Sequence, residues 1–404
     1  MKFKFLCAVM AISLVSACGS SSSTTQNDLC ADTASESSSF SCQQMLLDST
    51  AVAAAQATAV SESLDQLEIH INSYCGDVTS IGFLNTAKAS WSAAMVEVQQ
   101  LEVMQFGPIE ALRDELYVWP GSNTCRTDDQ IANNVNPDMS TVDSANRGLT
   151  AVEYILFNED AVAKCDANFP DIAAWRAANP ELNERKLQRC EYAKNVVSDL
   201  TEKVDALETS LASFSLEDSN TSLQQAANDI SDGLFYVDKF TKDLKIMAVI
   251  PQGDDGVFLE SKLESQYADV TGTFLTDVSK QHIVNNLLGA KTLFKGGANL
   301  GLDDYLNALG QSDMAIEIEL SLDNAIAHAQ LIDENLYQVI AQADETNISA
   351  CITSATMGTF DTGSNLEKTC ALQFYLKQFT DLLKEDLVFA LNFSKPAAAD
   401  GDAD

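Results

Sequence analysis

The chain has 404 residues and carries 24 Lys and Arg against 59 Asp and Glu, which gives a formal net charge of −35. Hydrophobic residues make up 46% of it, a share typical of globular proteins, so the composition argues against a disordered chain. A surface this negative repels phosphate backbones, which argues against DNA or RNA as a partner, and three histidines are few for zinc catalysis.

Residues 1–17 have the pattern of a signal peptide, because Lys2 and Lys4 precede an apolar run that is short for a membrane span. The small residues before Cys18 resemble the lipobox of bacterial lipoproteins, in which the cysteine is lipidated and becomes the new N-terminus. An ordinary cleavage site beside a chance cysteine is the alternative. We predict a lipoprotein that is anchored to the membrane through a lipid at Cys18. Gly19 resembles the sorting pattern for the outer membrane, so the predicted location is periplasm-facing and anchored to that membrane.

Apolar residues recur every three or four positions along most of the remaining chain, which is the pattern of amphipathic helices. In chain order, the spacing predicts helices over about 43–71, 85–105, 183–213, 219–248, 270–288, 316–339 and 366–393. The start of the sixth alternates like a strand between Ile316 and Leu320, but the helical period takes over at once. Long helices joined by short loops form up-down bundles, so we predict an all-α fold of two helical bundles packed together.

The clearest cluster of turn residues between long helices is at 251–256, and we place the boundary between the bundles there. The predicted organisation is a signal peptide (1–17), a lipidated cysteine with a flexible tether (18–42), an N-terminal bundle (43–250), a C-terminal bundle (251–394) and a disordered tail (395–404).

Once Cys7 in the signal peptide and Cys18 are set aside, an even number of cysteines remains: Cys30, Cys42, Cys75, Cys125, Cys165, Cys190, Cys351 and Cys370. C-x-x-C spacing does not occur in the sequence, so disulfides in an oxidising compartment are a better interpretation than a metal site. Many pairings are open to these residues. Pairing between neighbours along the chain would give Cys30–Cys42, Cys75–Cys125, Cys165–Cys190 and Cys351–Cys370.

Three segments of the first half stand out together, namely Trp91 with 102–108, 116–120 (LYVWP) and 147–157 (RGLTAVEYILF). Their order and spacing resemble the imelysin family, which is also catalogued as the M75 peptidases. Weaker segments at 260–267, 285–289 and 301–306 extend the resemblance from about residue 45 to about residue 390. The family consists of exported all-helical proteins, often lipoproteins and often linked to iron uptake. The resemblance therefore implies an imelysin-like fold and a partner protein of iron uptake.

The signature of that family is G-x-H-x-x-E, in which the histidine and glutamate lie one helical turn apart and can share a cation. Gly148 and Glu153 match it, whereas Thr150 stands at the histidine position. A hydroxyl is a poor ligand for a transition metal, which weakens the implied divalent cation, Fe or Zn. Two interpretations stay open: a capping box made by Thr150 and Glu153, or a residual site in which Glu153 and Glu102 bind a hard cation. For Glu102, a solvated or salt-bridged helix position is the alternative.

The remaining candidates have simpler explanations. We expect His70, His282 and His328 to be surface, capping or packing residues, and Trp91 and Trp119 to be core anchors. The functional hypothesis is a non-catalytic binding protein connected with iron or other metal acquisition, with no catalytic residue assigned. The alternatives are an M75-type metallopeptidase, against which the scattered histidines argue, and a structural or interaction lipoprotein that has lost the metal site.

Overall fold

The computed structural model describes residues 29–30, 40–165, 169–264, 278–358 and 362–397, and no β-strand occurs within them. The all-α fold class is thereby confirmed. The predicted signal peptide and Cys18 lie outside the described residues, as do most of the predicted tether and most of the tail. Within the described ranges, no helix combines the length and the hydrophobicity that crossing a membrane requires.

The first half of the described chain is built from long helices with shorter ones between them. Its α-helices are α1 (Cys42–Gly76), α2 (Ile81–Leu101), α3 (Pro108–Leu116), α4 (Thr124–Asn133), α5 (Leu149–Phe157), α6 (Pro170–Ala178), α7 (Leu182–Leu211), α8 (Leu216–Ser219) and α9 (Leu223–Leu234). Short 3-10 turns lie at Met139–Thr141 and Ser144–Asn146.

The second half begins with a π-helix, Val237–Met247, which continues from α9. A 3-10 turn, Glu260–Lys262, lies before α10. The later α-helices are α10 (Val278–Phe294), α11 (Leu302–Ala308), α12 (Ser312–Gln330), α13 (Leu336–Ala341), α14 (Ile348–Met357), α15 (Asn365–Asp381) and α16 (Val388–Ala390). A 3-10 turn, Glu345–Asn347, precedes α14, and a second π-helix, Leu382–Leu387, joins α15 to α16.

The predicted apolar stripes face the protein interior. Val60, Leu64, Leu67 and Ile71 on α1 are all fully buried, and they pack where α1 contacts α2 and α7. In the second half, α15 contacts α12, α14 and the first π-helix, while α10 contacts both α12 and α2. One hydrophobic cluster therefore runs through both halves, with α2 against α10 between them. The domain division at 251–256 stays a prediction.

Two long predicted helices change their hydrogen-bond pattern part of the way along. The segment predicted at 219–248 starts as α9 and ends as a π-helix, and the segment at 366–393 does the same after α15. The helix predicted at 316–339 is interrupted, because α12 ends at Gln330 and α13 starts only at Leu336. Asn335 accounts for that restart, since its side chain accepts a hydrogen bond from the Tyr337 amide and caps the new helix.

Four disulfides are present: Cys30–Cys42, Cys75–Cys190, Cys125–Cys165 and Cys351–Cys370. Pairing between chain neighbours is right for the first and last, and wrong for the two in the middle. The end of α1 lies beside the start of α7, which brings Cys75 to Cys190 across 115 residues of sequence. Disulfide pairing thus depends on helix packing that local spacing does not reveal.

Candidate functional site

The signature segment begins at Gly148, where the backbone has a φ of +83°, a conformation that favours glycine. A Cβ atom there would lie 3.1 Å from the carbonyl oxygens of both Glu115 and Leu116. Gly148 therefore allows the start of α5 to approach the end of α3 closely. Trp91 stabilises the start of α5, because its indole nitrogen donates a 2.8 Å hydrogen bond to the Leu149 carbonyl. Trp91 is fully buried, so its predicted role as a core anchor is confirmed.

The capping-box interpretation of Thr150 and Glu153 is wrong. Gly148 is the residue that caps α5, so Thr150 already lies inside the first turn of the helix. Its hydroxyl is buried, and no group in the described part of the chain hydrogen-bonds to it. Glu153 is 1% exposed on a helix whose residues are all buried. The signature segment thus carries a carboxyl group into the interior of the protein.

Glu102 lies at the C-terminal end of α2 and is also buried, so the alternative of a solvated helix position is wrong. The Tyr236 hydroxyl donates a 2.7 Å hydrogen bond to its carboxylate. Burial raises the pKa of Glu102 to about 7, although Lys245 and the Tyr236 hydrogen bond act in the opposite direction. Near neutral pH, this side chain is therefore divided between its protonated and its charged form.

A buried ion pair between the first π-helix and the segment before α10 lies close to Glu102. The Lys245 Nζ atom is 2.8 Å from Glu264 Oε1 and donates a 2.6 Å hydrogen bond to Gln99 Oε1. Burial alone would raise the pKa of Glu264, but Lys245 and then His282 outweigh burial and hold that pKa below its usual value. Lys245 is thus the cation that neutralises this carboxylate.

His282 on α10 faces the same ion pair, with its Nδ1 atom 3.3 Å from Glu264 Oε1. Burial lowers the pKa of His282, and the nearby Lys245 adds to that effect, while Glu264 opposes both. The imidazole is therefore neutral at pH 7. The polar appearance of this helical turn in the sequence is misleading, because His282 is 2% exposed.

Tyr117, which follows α3, connects these groups. Its ring contacts the His282 ring edge-on, with centroids 5.5 Å apart. Burial raises its pKa, and the carboxylates of Glu264, Glu153 and Glu102 raise it further, so all three act electrostatically on Tyr117. We call this group the central polar cluster; its members are Glu102, Tyr117, Glu153, Lys245, Glu264 and His282.

Several buried polar atoms in and around the central polar cluster lack a hydrogen-bond partner within the ranges that the structure describes. They are the hydroxyls of Tyr117 and Thr150, the amide nitrogens of Gln99 and Asn285, and Glu264 Oε2. Buried polar groups in folded proteins almost always have a partner, whether protein, water or ligand. The polar atoms at these positions are therefore available to bind water or a polar ligand.

The donor set does not form a ready metal site. No group of three His, Cys, Asp or Glu side chains placed to hold a metal ion occurs in the part of the chain with described coordinates. Two of the carboxylates are already engaged by protein groups, Glu102 by Tyr236 and Glu264 by Lys245. A metal ion would have to compete with the Lys245 ammonium for Glu264. The carboxylate oxygens suit a hard cation, but the described residues do not supply a complete set of ligands for one.

The structure brings the predicted residues Glu102 and Glu153 into one buried cluster, with Gly148 and Thr150 at its edge. It places the other two histidines elsewhere: His70 lies 2.5 Å from the Ser90 hydroxyl, and His328 lies 2.8 Å from the Lys368 carbonyl. Sequence reasoning missed four members of the cluster, namely Tyr117, Lys245, Glu264 and His282. The burial of His282 could have been predicted, because apolar residues occur on every face of the helix at 278–294, which is the pattern of a helix buried on all sides.

The raised pKa of Glu102 predicts how stability depends on pH. The carboxyl group binds its proton more tightly in the folded state, so its contribution to stability is fully present below about pH 4.5 and is lost as pH rises through about 7. Glu102→Gln cannot ionise and keeps an oxygen that accepts from Tyr236. We expect the variant to match the wild type at pH 4 and to exceed its free energy of unfolding by up to about 3 kcal/mol at pH 8.

Urea denaturation between pH 4 and pH 8 measures this difference. Glu62→Gln, which replaces an exposed side chain on α1, is the matched control, and its effect on the free energy of unfolding should stay below about 0.5 kcal/mol. If Glu102→Gln and the wild type kept a constant difference over the whole pH range, Glu102 would not titrate as described.

Comparisons with known proteins agree with the helical architecture. The family model of Imelysin, Peptidase M75, matches residues 53–355. An imelysin-like protein from Psychrobacter arcticum superposes with a TM-score of 0.60 at 14% identity, covering 88% of this chain and 98% of that one. A "putative iron-regulated protein A precursor" from Parabacteroides distasonis gives 0.55 at 16% identity, with 86% and 97% covered. Among curated proteins, nothing matches. At these identities the two solved structures show a shared fold.

Proposed function

The chain belongs to the imelysin family, and on that premise we propose that it is a non-catalytic binding protein connected with iron or other metal acquisition. Its recognition centre is the central polar cluster. The link to iron draws support from the description of the Parabacteroides distasonis protein as iron-regulated. A partner protein of iron uptake and a divalent cation, Fe or Zn, belong to the same proposal.

The observation that carries this proposal is that the central polar cluster combines several buried carboxyl groups with buried polar atoms that lack a hydrogen-bond partner among the described residues. Glu102, Glu153 and Glu264 bring three carboxyl groups into the interior. Lys245 pairs with Glu264, and Lys245 and Arg113 both act to lower the pKa of Glu102. Carboxylate oxygens are the ligands that hard cations prefer in proteins. This arrangement favours a cationic ligand over an anionic one.

Metal affinity in the wild-type chain is expected to be weak. Thr150 replaces the imidazole donor that the signature of the family supplies, and Lys245 already pairs with Glu264. A hydroxyl competes poorly for a transition metal, whereas a histidine at the same place on the helix would add a strong nitrogen donor. Glu153 is the potential metal ligand that remains from the family signature, so metal binding should depend on it.

Export and lipidation are part of the proposal, because a binding protein of metal acquisition must meet its ligand outside the cytoplasm. The proposed anchor is a lipid on Cys18, and the proposed location is periplasm-facing at the outer membrane. Four disulfides support an oxidising compartment, since such bonds are rare in the cytosol.

The metallopeptidase alternative requires three protein ligands for zinc, an open position for water and a general base. Such a ligand group does not occur among the residues with described positions. The second alternative, an interaction lipoprotein that has lost its metal site, makes the same prediction about hydrolysis and the opposite one about metal affinity.

Calorimetric titration with Fe(II) and Zn(II) under anaerobic, chelator-cleaned conditions tests the proposal on a form that lacks residues 1–18. We expect the wild type to bind one ion weakly and Glu153→Gln to lose at least about tenfold in affinity, because a carboxylate is a stronger ligand than an amide. Thr150→His should bind more tightly than the wild type.

Glu62→Gln serves as the control and should leave the metal affinity unchanged. Specific binding by Thr150→His alone would contradict a metal-linked role for the wild-type chain and favour the interaction lipoprotein. Equal affinities of the wild type and Glu153→Gln would place any bound ion outside the central polar cluster.

A further inference from the structure

A second candidate site lies beside the central polar cluster. It is a cavity of about 350 Å³ between the segment that follows α2 and the segment where α9 continues into the π-helix. That volume is at the lower end of the range for pockets that bind small ligands. Tyr236 belongs to both places, because its ring lines the cavity and its hydroxyl bonds to Glu102.

Aromatic residues contribute much of the lining, namely Phe106, Phe235, Tyr236 and Phe240. Tyr236 and Phe240 stack with centroids 4.8 Å apart. The Arg113 guanidinium lies 3.6 Å from the centre of the Phe240 ring, so this stacked pair already attracts one cation. Aromatic faces carry a negative electrostatic potential and bind ammonium groups through cation–π contacts.

The charged side chains of the wall are mostly acidic. Glu110, Asp229 and Asp232 line the cavity together with one basic residue, Lys239. The Lys239 ammonium lies 3.6 Å from Asp238 and 3.5 Å from Asp243, and both of these carboxylates lie outside the lining. These two carboxylates also pair with Lys242, and Asp238 pairs with Lys384 as well, so they do not cancel the charge of Lys239. Within the lining itself, three carboxylates outnumber the ammonium group of Lys239.

Asp232 is a poorly compensated carboxylate. Its Oδ1 atom is buried and accepts no hydrogen bond from the groups with described positions. Burial and then the Asp229 carboxylate raise the pKa of Asp232 to about 7, against a hydrogen bond from Asn228 that lowers it. A positive charge in the adjoining cavity would stabilise the ionised form of Asp232.

From this combination of aromatic walls and poorly compensated carboxylates, we propose that the cavity binds a small organic cation with an alkylammonium or quaternary ammonium group. Its aromatic walls cannot replace the water shell of a metal ion, and the described residues contain no three-donor group for one. The acidic lining disfavours an anion. The inference is independent of metal binding at the central polar cluster.

Choline and its neutral isostere 3,3-dimethylbutan-1-ol form a matched pair of probes, because they have the same shape and differ in charge. Calorimetric titration of the mature chain at pH 8 should show one-site binding of choline at least about tenfold tighter than that of the alcohol. Equal affinity of the two probes, or absence of binding by both, would overturn the proposal.

Variants locate the binding. Asp232→Asn should weaken choline binding about tenfold, and Phe240→Leu should weaken it about fivefold while keeping an apolar side chain. Asp218→Asn on α8, an exposed acid outside the lining, is the control and should leave affinity unchanged. Near-UV circular dichroism checks that each variant is folded. Unchanged affinity in folded Asp232→Asn and Phe240→Leu would contradict the assigned cavity.

The ammonium group could belong to a free small molecule or to a lysine side chain of a peptide. Nα-acetyl-lysine amide and pentylamine distinguish these sources, since both carry a single primary alkylammonium and only the first has a peptide backbone on it. Tighter binding of pentylamine would favour a free amine as ligand, and tighter binding of the lysine derivative would favour a peptide.

Discussion

Replacing Asp128 with alanine is expected to lower the free energy of unfolding by about 3 to 5 kcal/mol, because it leaves a buried guanidinium without its counter-charge. Asp128 on α4 and Arg189 on α7 are both about 1 to 2% exposed, and Arg189 Nη2 donates a 2.5 Å hydrogen bond to Asp128 Oδ1. The other carboxylate oxygen accepts from the Tyr154 hydroxyl at 2.6 Å and from the Lys164 amide at 2.7 Å. One side chain thus satisfies groups on three separate segments.

Urea unfolding followed by circular dichroism at pH 7 measures this cost. Asp129→Ala, at the next and partly exposed position of the same helix, is the control, and its effect should stay below about 0.5 kcal/mol. A double variant, Asp128→Leu with Arg189→Met, removes both charges and should recover part of the lost stability. A double variant less stable than Asp128→Ala would contradict the role of the unpaired guanidinium.

The sequence was sufficient to predict helices wherever the apolar period is regular. The stripe from Val60 to Ile71 is such a case, since each of its residues needs only a neighbouring helix to cover it. The π-helices were not predictable in this way. A π-helix has i→i+5 hydrogen bonds, which changes the set of side chains that share one face of the helix. The composition of 237–247 is that of an ordinary helix, so it gives no sign of this change. Lys245 was therefore not expected in the interior.

The candidate site was partly predictable for a related reason. Gly148 and Glu153 follow a family pattern. The first position of that pattern needs glycine, because its backbone has a positive φ and a Cβ atom there would crowd the end of α3. The capping-box prediction failed because Thr150-x-x-Glu153 matches the sequence pattern of a capping box, whereas the helix is in fact capped two residues earlier, at Gly148. Glu264 and His282 join the cluster through contacts between distant segments, which local spacing does not encode.

Removing the Cys75–Cys190 disulfide by replacing both cysteines with alanine is expected to cost about 4 kcal/mol of stability. This bond joins residues 115 apart in sequence, and it ties the end of α1 to the start of α7. Its absence frees a long stretch of the unfolded chain, whose gain in conformational entropy favours unfolding. The same freedom lets the unfolded chain expose more surface, so the dependence of the unfolding free energy on urea should become steeper.

The Cys351–Cys370 disulfide provides the matched comparison, because it is also buried but closes a loop of 19 residues. Its double alanine variant should lose about 3 kcal/mol and change the urea dependence less. Both variants remove two buried sulfur atoms, so the lost packing is similar and the difference between them reports on loop length. A larger cost for Cys351→Ala with Cys370→Ala would show that loop entropy does not govern these bonds. If the urea dependence stayed unchanged for Cys75→Ala with Cys190→Ala, the unfolded chain would remain compact without that bond. Other contacts would then hold the α1 and α7 segments together in the unfolded state.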